Sequence, residues 1–276
     1  MTEWNPANQW EKSSFNSERN SMSEERILLE ADPEHAHVYH LILNRPEKKN
    51  ALDGDMIQAL HHTLHEVEQM TDLRCLIVRG SGDSFVAGAD VAALKARGAR
   101  EALQGVNQTL FRRLAEIPCP TLAMVRGYAL GGGCELAMAC DLRITSETAQ
   151  FGQPEVGLGI IPAAGGCHRL ERLVGVGKAR ELIFTGKIIS AEEACRIGLS
   201  NIVVDDSELE ETTRDWAKKI ARNAPGAVQL AKMVINGTPE AGAHGSDLME
   251  SISQAICFES EDKHLRMQKF LDRKKK

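Results

Sequence analysis

The chain has 276 residues, of which 42% are hydrophobic and 26% charged, and a formal net charge of −6. This charge argues against non-specific nucleic-acid binding, which needs a basic surface, and no apolar run reaches the roughly 20 residues of a membrane span. The seven cysteines are odd in number and form no Cys-x-x-Cys pair. They indicate reduced thiols and predict a cytoplasmic protein without a disulfide framework.

The first part of the chain predicts an extension, a hairpin and a helix. Residues 1–22 are polar and predict a flexible extension. Aliphatic and β-branched runs at 26–30 and 37–43 predict two antiparallel strands. Apolar residues recur at helical spacing over 52–70, and Asp53 is placed to cap that helix.

The middle of the chain alternates between strands and helices. Strands are predicted at 74–79, 121–125 and 142–145, and helices at 99–116 and 131–140. This alternation implies parallel strands with right-handed crossovers. Helical patterns then dominate to the end of the chain. We therefore predict an α/β core over 23–204 and a helical part over 205–276.

Two glycine-bearing segments, 85–90 and 127–135, each follow a strand and precede a helix. A helix N-terminus has unpaired N–H groups and a positive dipole end, so two such ends could together hold an oxyanion. For an isolated glycine-rich segment, a tight turn or close helix packing is the favoured alternative. A dinucleotide or phosphate cradle is disfavoured, because the Gly-x-Gly-x-x-Gly order and a Gly-Lys-Ser/Thr sequence are both missing.

Two glutamates lie in apolar stretches. Glu135 lies near the start of a helix whose following residues are apolar, and Glu155 follows Pro154 in a segment without neighbouring charge. Burial raises a carboxyl pKa into the range useful for proton transfer, so the pair suits acid–base chemistry on a neutral substrate. Glu135 could instead reach solvent or pair with an arginine, and the sequence spacing alone does not bring the two acids together.

Two other candidate sites are set aside. His61 and His65 share a helix face, but the order is not His-Glu-x-x-His, so a solvated face is favoured and no metal site is predicted. Cys134 begins the helix that contains Glu135. A cysteine in an apolar helix more often packs than reacts.

Longer motifs resemble a known family. Residues 127–141, Gly-Tyr-Ala-Leu-Gly-Gly-Gly-Cys-Glu-Leu-Ala-Met-Ala-Cys-Asp, and 151–155, Phe-Gly-Gln-Pro-Glu, resemble the enoyl-CoA hydratase/isomerase (crotonase) family. Residues 44–52 and 87–90 and the region of Phe270 are also similar to it. The resemblance runs from about residue 26 to the end of the chain.

The resemblance implies an α/β crotonase (ClpP-like) spiral of ββα units with a helical C-terminal trimerisation part. It implies that the backbone N–H groups of Ala89 and Gly132 bind the thioester oxygen, while Glu135 and Glu155 activate water and deliver a proton. The implied reaction needs no cofactor, since coenzyme A arrives with the acyl-CoA substrate. The implied partners are copies of the chain in a homotrimer or homohexamer. The remaining residues that it places near the substrate are Ala87, Gly88, Asp90, Lys48, Lys49 and Phe270.

Some positions depart from the family pattern. Ala163 replaces a usual glycine but keeps the backbone N–H, and Cys167 and His168 stand where Thr-Gln is usual. Ala92 replaces a lysine that contacts a coenzyme A phosphate in some members; Lys48 and Lys49 could compensate or could simply be solvated. A double-bond isomerase, another acyl-CoA lyase, or a non-catalytic homologue that binds RNA are the alternative functions. Keeping both glutamates favours a hydratase.

Overall fold

The computed structural model describes residues 26–273, apart from the side chains of residues 239 and 240. The predicted extension over 1–22 and the last three lysines lie outside the described residues. Within this range the strands are β1 Ile27–Ala31, β2 Val38–Leu43, β3 Cys75–Gly80, β4 Thr121–Val125, β5 Tyr128–Leu130, β6 Leu142–Ser146, β7 Gln150–Gly152, β8 Ile188–Ser190 and β9 Ile202–Val204.

The helices of the same range fall into an inner group and a C-terminal group. The inner helices are α1 Gly54–Glu68, α2 Val91–Lys95, α3 Ala99–Gln104, α4 Val106–Glu116, α5 Gly132–Ala139, α6 Gly166–Val174, α7 Val176–Thr185 and α8 Ala191–Arg196. The C-terminal helices are α9 Leu209–Ala221, α10 Pro225–Glu259 and α11 Glu261–Arg273. A short 3-10 turn, Pro154–Leu158, follows β7.

The strands form two mixed sheets. The larger has the order β1-β2-β3-β4-β6-β9, in which β1 is antiparallel to β2 and the other neighbours are parallel. This confirms the predicted hairpin and the predicted parallel strands. The smaller sheet has the order β5-β7-β8. The sequence did not predict it, because strands of three residues are too short to show an alternating pattern.

Helix α1 follows directly from its sequence. Asp53 caps it by accepting a hydrogen bond from the Met56 N–H at 2.9 Å, as predicted. Its buried residues recur at helical spacing and face the core. The helix begins at Gly54 rather than at residue 52, because Leu52 pairs with Ala89 in a short parallel bridge.

The prediction of one continuous helix over 99–116 is wrong. The chain forms α3 and α4, which are separated by Gly105. Gly105 has a φ of +58°, a left-handed conformation that ends the first helix. Glycine adopts this conformation at little cost, whereas its low helix propensity weakens a helix that continues through it.

The larger sheet is covered on both faces. On β3, Leu76 and Val78 pack into a large cluster with α1 and α4, whereas Cys75 and Ile77 pack into a smaller cluster with α9. Successive side chains of a strand point to opposite faces, so a sheet covered on both sides needs apolar residues at every position. This explains why residues 75–78 of β3 are continuously apolar.

A buried lysine joins the C-terminal helices to the core. Lys232 on α10 donates to the Cys119 carbonyl at 3.0 Å and to the Asp141 carboxylate at 2.7 Å. Asp141 also accepts hydrogen bonds from the backbone and hydroxyl of Thr121. Three elements are therefore tied at one carboxylate. Lys232 is buried and Asp141 is half-buried, so removing the carboxylate would leave a buried ammonium without its charged partner, which is costly.

Beyond this anchor, α10 and α11 expose an apolar surface. Helix α10 is interrupted at Gly242, whose φ of +66° and ψ of 171° are not helical. In the part of the chain that the structure describes, no helix is long and apolar enough to cross a membrane. The exposed apolar side chains of these two helices include Ile235, Leu248, Ile252, Ile256, Phe258, Leu265, Met267, Phe270 and Leu271.

Candidate active site

The first glycine-bearing segment is held against the loop that precedes α1. The Gly88 carbonyl accepts a bond from the Leu52 N–H at 2.8 Å, and the Asp90 N–H donates to the Leu52 carbonyl at 3.0 Å. Between them, the Ala89 N–H makes no hydrogen bond to any described residue. Gly88 has a φ of +118°, which requires glycine and turns the chain here. The Ala89 donor is thereby left available.

The residues around Ala89 fix this segment further. The Ala87 N–H donates to the Lys49 carbonyl at 3.0 Å. The Asp90 carboxylate accepts from the N–H groups of Ala92 and Ala93, at 3.0 and 3.1 Å, so it caps α2. These bonds hold both flanks of the Ala89 donor.

The second glycine-bearing segment forms the start of α5. Gly131 has a φ of +51° and its N–H donates to the Gly152 carbonyl. The next N–H, of Gly132, lies in the first helical turn and makes no hydrogen bond to any described residue. A Cβ built on Gly132 would lie 3.9 Å from the Ala89 nitrogen. The two segments therefore bring two unpaired main-chain N–H groups to one place.

Glu135 lies one turn further along α5 and is only 4% exposed. Its Oε1 accepts hydrogen bonds from the Ala164 N–H at 2.7 Å and from the Gly166 N–H at 2.8 Å. Burial raises the pKa of this carboxyl, while the two backbone bonds and the Arg169 charge act in the opposite direction. Its Oε2 accepts no hydrogen bond from the described residues. One oxygen of the carboxylate is therefore held by main-chain donors, and the other is not.

Arg169 braces the loop that binds Glu135. Its guanidinium donates to the Ala164 carbonyl at 3.0 Å and to the Phe111 carbonyl at 3.4 Å. Gly165, between the two amides that bind Glu135, has a φ of +108°. This loop was not predicted from the sequence to be a partner of Glu135. Its only local signal is the Gly165-Gly166 pair at the start of α6, which alone does not reveal what the amides contact.

Glu155 lies in the 3-10 turn and is 9% exposed. Burial raises its pKa to about 7; a hydrogen bond with its own backbone opposes the shift, and the charge of Glu135 adds to it. A Cβ built on Gly131 would lie 2.9 Å from Glu155 Oε1. Glu155 therefore lies beside the start of α5, close enough to Glu135 for the charge of Glu135 to raise its pKa. The two acids, which the sequence could not place together, belong to one cluster.

The raised pKa of Glu155 predicts a pH-dependent cost in stability. The ordinary pKa of this carboxyl is 4.5. Between that pH and pH about 7, Glu155 keeps its proton in the folded state but loses it in the unfolded state. Ionised Glu155 therefore destabilises the fold as pH rises through this window. Glu155→Gln removes the ionisable group, so its unfolding free energy relative to the parent should rise by about 2–3 kcal/mol from pH about 4 to pH about 8. Urea unfolding of both proteins at several pH values measures this difference; a difference that is constant with pH contradicts it.

The remaining predicted residues lie at the edges of this cluster or outside it. Lys48 and Lys49 are exposed, and the Lys49 ammonium lies 4.3 Å from the centre of the Tyr128 ring. Phe270 lies on α11 and is 58% exposed. The structure thus groups Ala89, Gly132 and the two glutamates, and places Phe270 in the C-terminal helical part.

The two sites set aside from the sequence have ordinary structural surroundings. His61 Nδ1 lies 3.0 Å from an Arg113 guanidinium nitrogen, so this ring is half-buried against α4 and not solvated as predicted, whereas His65 is exposed. Burial raises the pKa of the Cys134 thiol to about 12, as expected of a packed, unreactive cysteine. Within residues 26–273, no group of three His, Cys, Asp or Glu side chains could hold a metal ion.

Solved structures share the arrangement of two mixed sheets and C-terminal helices, which is the α/β crotonase fold. The crystal structure of an enoyl-CoA hydratase from Bacillus anthracis matches with a TM-score of 0.85 and 36% identity, covering 90% of this chain and 96% of that one. An enoyl-CoA hydratase from Thermoplasma volcanium matches with a TM-score of 0.83 and 30% identity, covering 89% and 97%. The predicted fold class is confirmed.

The family model described as enoyl-CoA hydratase/isomerase matches residues 34–276, and the chain belongs to this family. A short-chain-enoyl-CoA hydratase of Clostridium acetobutylicum is 44% identical over 252 residues, which cover 90% of this chain and 95% of that protein. A crotonyl-CoA hydratase of Syntrophomonas wolfei is 41% identical, covering 92% and 98%. The resemblance seen in the sequence motifs is thereby confirmed.

Proposed function

We propose that the chain is an enoyl-CoA hydratase, which adds water to a trans-2-enoyl-CoA and forms a 3-hydroxyacyl-CoA. The observation that carries this proposal is the cluster of two buried carboxyls beside two unpaired main-chain N–H groups. Family membership and the hydratase names of the similar proteins support it. Coenzyme A enters as part of the substrate, and the reaction requires no further cofactor.

The two N–H groups are proposed to form an oxyanion hole. The thioester oxygen would accept hydrogen bonds from Ala89 and Gly132, with Gly132 also at the positive end of α5. As water attacks C3, negative charge moves onto this oxygen, so the donors bind the transition state more strongly than the substrate. Removing one such donor from an oxyanion hole typically costs about 3–4 kcal/mol in activation free energy.

The different surroundings of the two glutamates support a division of labour between them. Glu135 is held at Oε1 by two N–H donors, so it would orient water through Oε2 and accept its proton. Glu155, with a pKa of about 7, carries a proton in part of the population near neutral pH and would deliver it to C2. Both act from one side of the acyl group in this scheme, which gives syn addition. Transfer of the proton from Glu135 back to Glu155 restores the starting state.

The remaining site and assembly assignments are part of the same proposal. Residues 87–90, Lys48, Lys49 and Phe270 are proposed to contact the substrate, the two lysines through the coenzyme A phosphates. The exposed apolar surface of α10 and α11 supports assembly into a homotrimer or homohexamer. Seven free cysteines support a cytoplasmic location.

The proposal is tested with crotonyl-CoA. Purified protein should bleach the absorbance of the conjugated thioester, and mass spectrometry should show a product heavier by one water. Loss of conjugation without water uptake, or conversion of a 3-enoyl-CoA alone, would instead indicate an isomerase. Tight RNA binding with no turnover of any enoyl-CoA in a panel of graded chain lengths would support the non-catalytic alternative.

A further inference from the structure

Two consecutive residues between β2 and α1 have a left-handed backbone. Lys49 has a φ of +50° and Asn50 a φ of +58°, and within residues 26–273 no other non-glycine residue has a positive φ. This conformation is costly for most side chains, although asparagine tolerates it better than lysine does. Strained residues of this kind persist only where the surrounding contacts hold them in place. The contacts of Asn50, which the proposed reaction does not use, therefore need an explanation.

The side-chain amide of Asn50 is completely buried and fully hydrogen-bonded. Its Oδ1 accepts from the Arg45 N–H at 2.8 Å. Its Nδ2 donates to the carbonyls of Ser81 and Ser84, at 3.0 and 2.8 Å. An N–H group only donates and a carbonyl only accepts, so these partners fix the orientation of the amide. One buried side chain thus ties the loop after β2 to the loop after β3.

The loop after β3 leads directly to the first proposed oxyanion donor. Ser84 lies five residues before Ala89 in the chain. The main chain next to Asn50 holds the other end of this segment: the Lys49 carbonyl accepts from the Ala87 N–H at 3.0 Å, and Leu52 bonds to the residues on both sides of Ala89. The segment that presents the Ala89 N–H is therefore held at its start by the Asn50 amide and at its end by the neighbours of Asn50.

The packing around the amide leaves no substitute for it. A Cβ built on Gly80, the last residue of β3, would lie 2.5 Å from Asn50 Nδ2 and would overlap the Ser84 carbonyl oxygen. Ser84 is itself only 2% exposed. Removing the Asn50 donor would leave a buried carbonyl unpaired, which is costly, so the loop would shift to find another donor.

We propose that Asn50 is a positioning residue for the oxyanion hole: its amide and its left-handed backbone fix segment 81–90 and thereby the direction of the Ala89 N–H. This inference rests on the proposed hydratase function. Asn50 does not touch the acyl group in this scheme and acts through the loop. The donor then needs no reorganisation when negative charge develops on the thioester oxygen.

The test replaces Asn50 by Asp, which has the same size and keeps an acceptor for Arg45 but sets an oxygen against the two serine carbonyls. The kcat for crotonyl-CoA should fall about 10²-fold, as expected when a reacting group is displaced by about 1 Å, and KM should change less. Asn50→Gly tolerates the left-handed backbone and removes the amide without adding a charge, and it should show the same loss. Asn223→Asp, at an exposed position, is the matched control and should keep the activity of the parent.

The infrared spectrum of a bound thioester separates a positioning role from a purely structural one. Butyryl-CoA with a carbon-13 carbonyl has no double bond to hydrate, and hydrogen bonds from the two main-chain donors should lower its carbonyl stretching frequency in the parent. This downshift should be smaller in both Asn50 variants. If both folded variants keep the kcat and the downshift of the parent, even with a lower unfolding free energy, Asn50 only stabilises the fold and the positioning role is wrong.

Hydrogen exchange of the Ala87 amide in the free protein separates this inference from the proposed function. Ala87 donates to the Lys49 carbonyl, so its amide should exchange faster in both Asn50 variants than in the parent. If the parent hydrates no enoyl-CoA, the proposed function fails, and this exchange alone decides whether Asn50 holds the segment. Exchange that is unchanged in both variants overturns the inference.

Discussion

Glu135→Gln is expected to lower kcat for crotonyl-CoA hydration by about 10²–10⁴-fold, the usual contribution of a positioned general base. The amide keeps an oxygen that can accept from Ala164 and Gly166, so the loop should retain its place. What is lost is the ability to take a proton from water. Steady-state kinetics on the purified variant measure the effect, and KM should change far less than kcat.

The unfolding free energy separates lost chemistry from lost structure. Burial disfavours the charge of Glu135, so the neutral variant should be as stable as the parent or more so. Glu147→Gln is a matched control, because Glu147 is exposed, and it should keep full activity. Activity of Glu135→Gln within a few-fold of the parent would remove Glu135 from the mechanism.

The larger sheet was predictable because its signals are local and repeated. Aliphatic runs marked β2, β3 and β4, and the helices between them required parallel neighbours. The break at Gly105 was not predicted, since the residues on both sides favour a helix and only the left-handed backbone reveals the end. The smaller sheet was not predicted either, for a different reason. Its short strands are defined by their partners rather than by their own sequence.

The candidate site, too, could be predicted only in part from the sequence. Glu135 and Glu155 could be identified as candidates from the sequence, because a carboxyl in an apolar stretch is unusual. Their meeting depends on the turn after β7 lying beside Gly131, a contact that no spacing in the sequence encodes. The roles of Ala164 and Gly166 were not readable either, because they act through backbone N–H groups, which every residue except proline possesses.

The packing of Gly133 against Val86 sets the relative position of the two N–H donors. A Cβ on Gly133 would overlap the Val86 carbonyl oxygen and lie 2.8 Å from Val86 Cβ. The backbone of Gly133 is helical, without a positive φ, so alanine is excluded by contact alone and not by backbone strain. Glycine at this position lets α5 approach the segment that carries Ala89.

Gly133→Ala is therefore expected to destabilise the fold by about 3 kcal/mol or more, at or above the upper end for overpacked sites, because the contact is with main chain that cannot rotate away. Moving α5 also separates Gly132 from Ala89, and a displacement of about 1 Å is enough to lower activity about 10²-fold. Gly226→Ala is the matched control: Gly226 is helical, nothing lies within 4 Å of a Cβ there, and alanine should be neutral or slightly stabilising. Urea unfolding and crotonyl-CoA kinetics on both variants measure the contrast. Equal stability and activity for the two would mean that α5 does not depend on close approach to Val86 to present its first N–H groups.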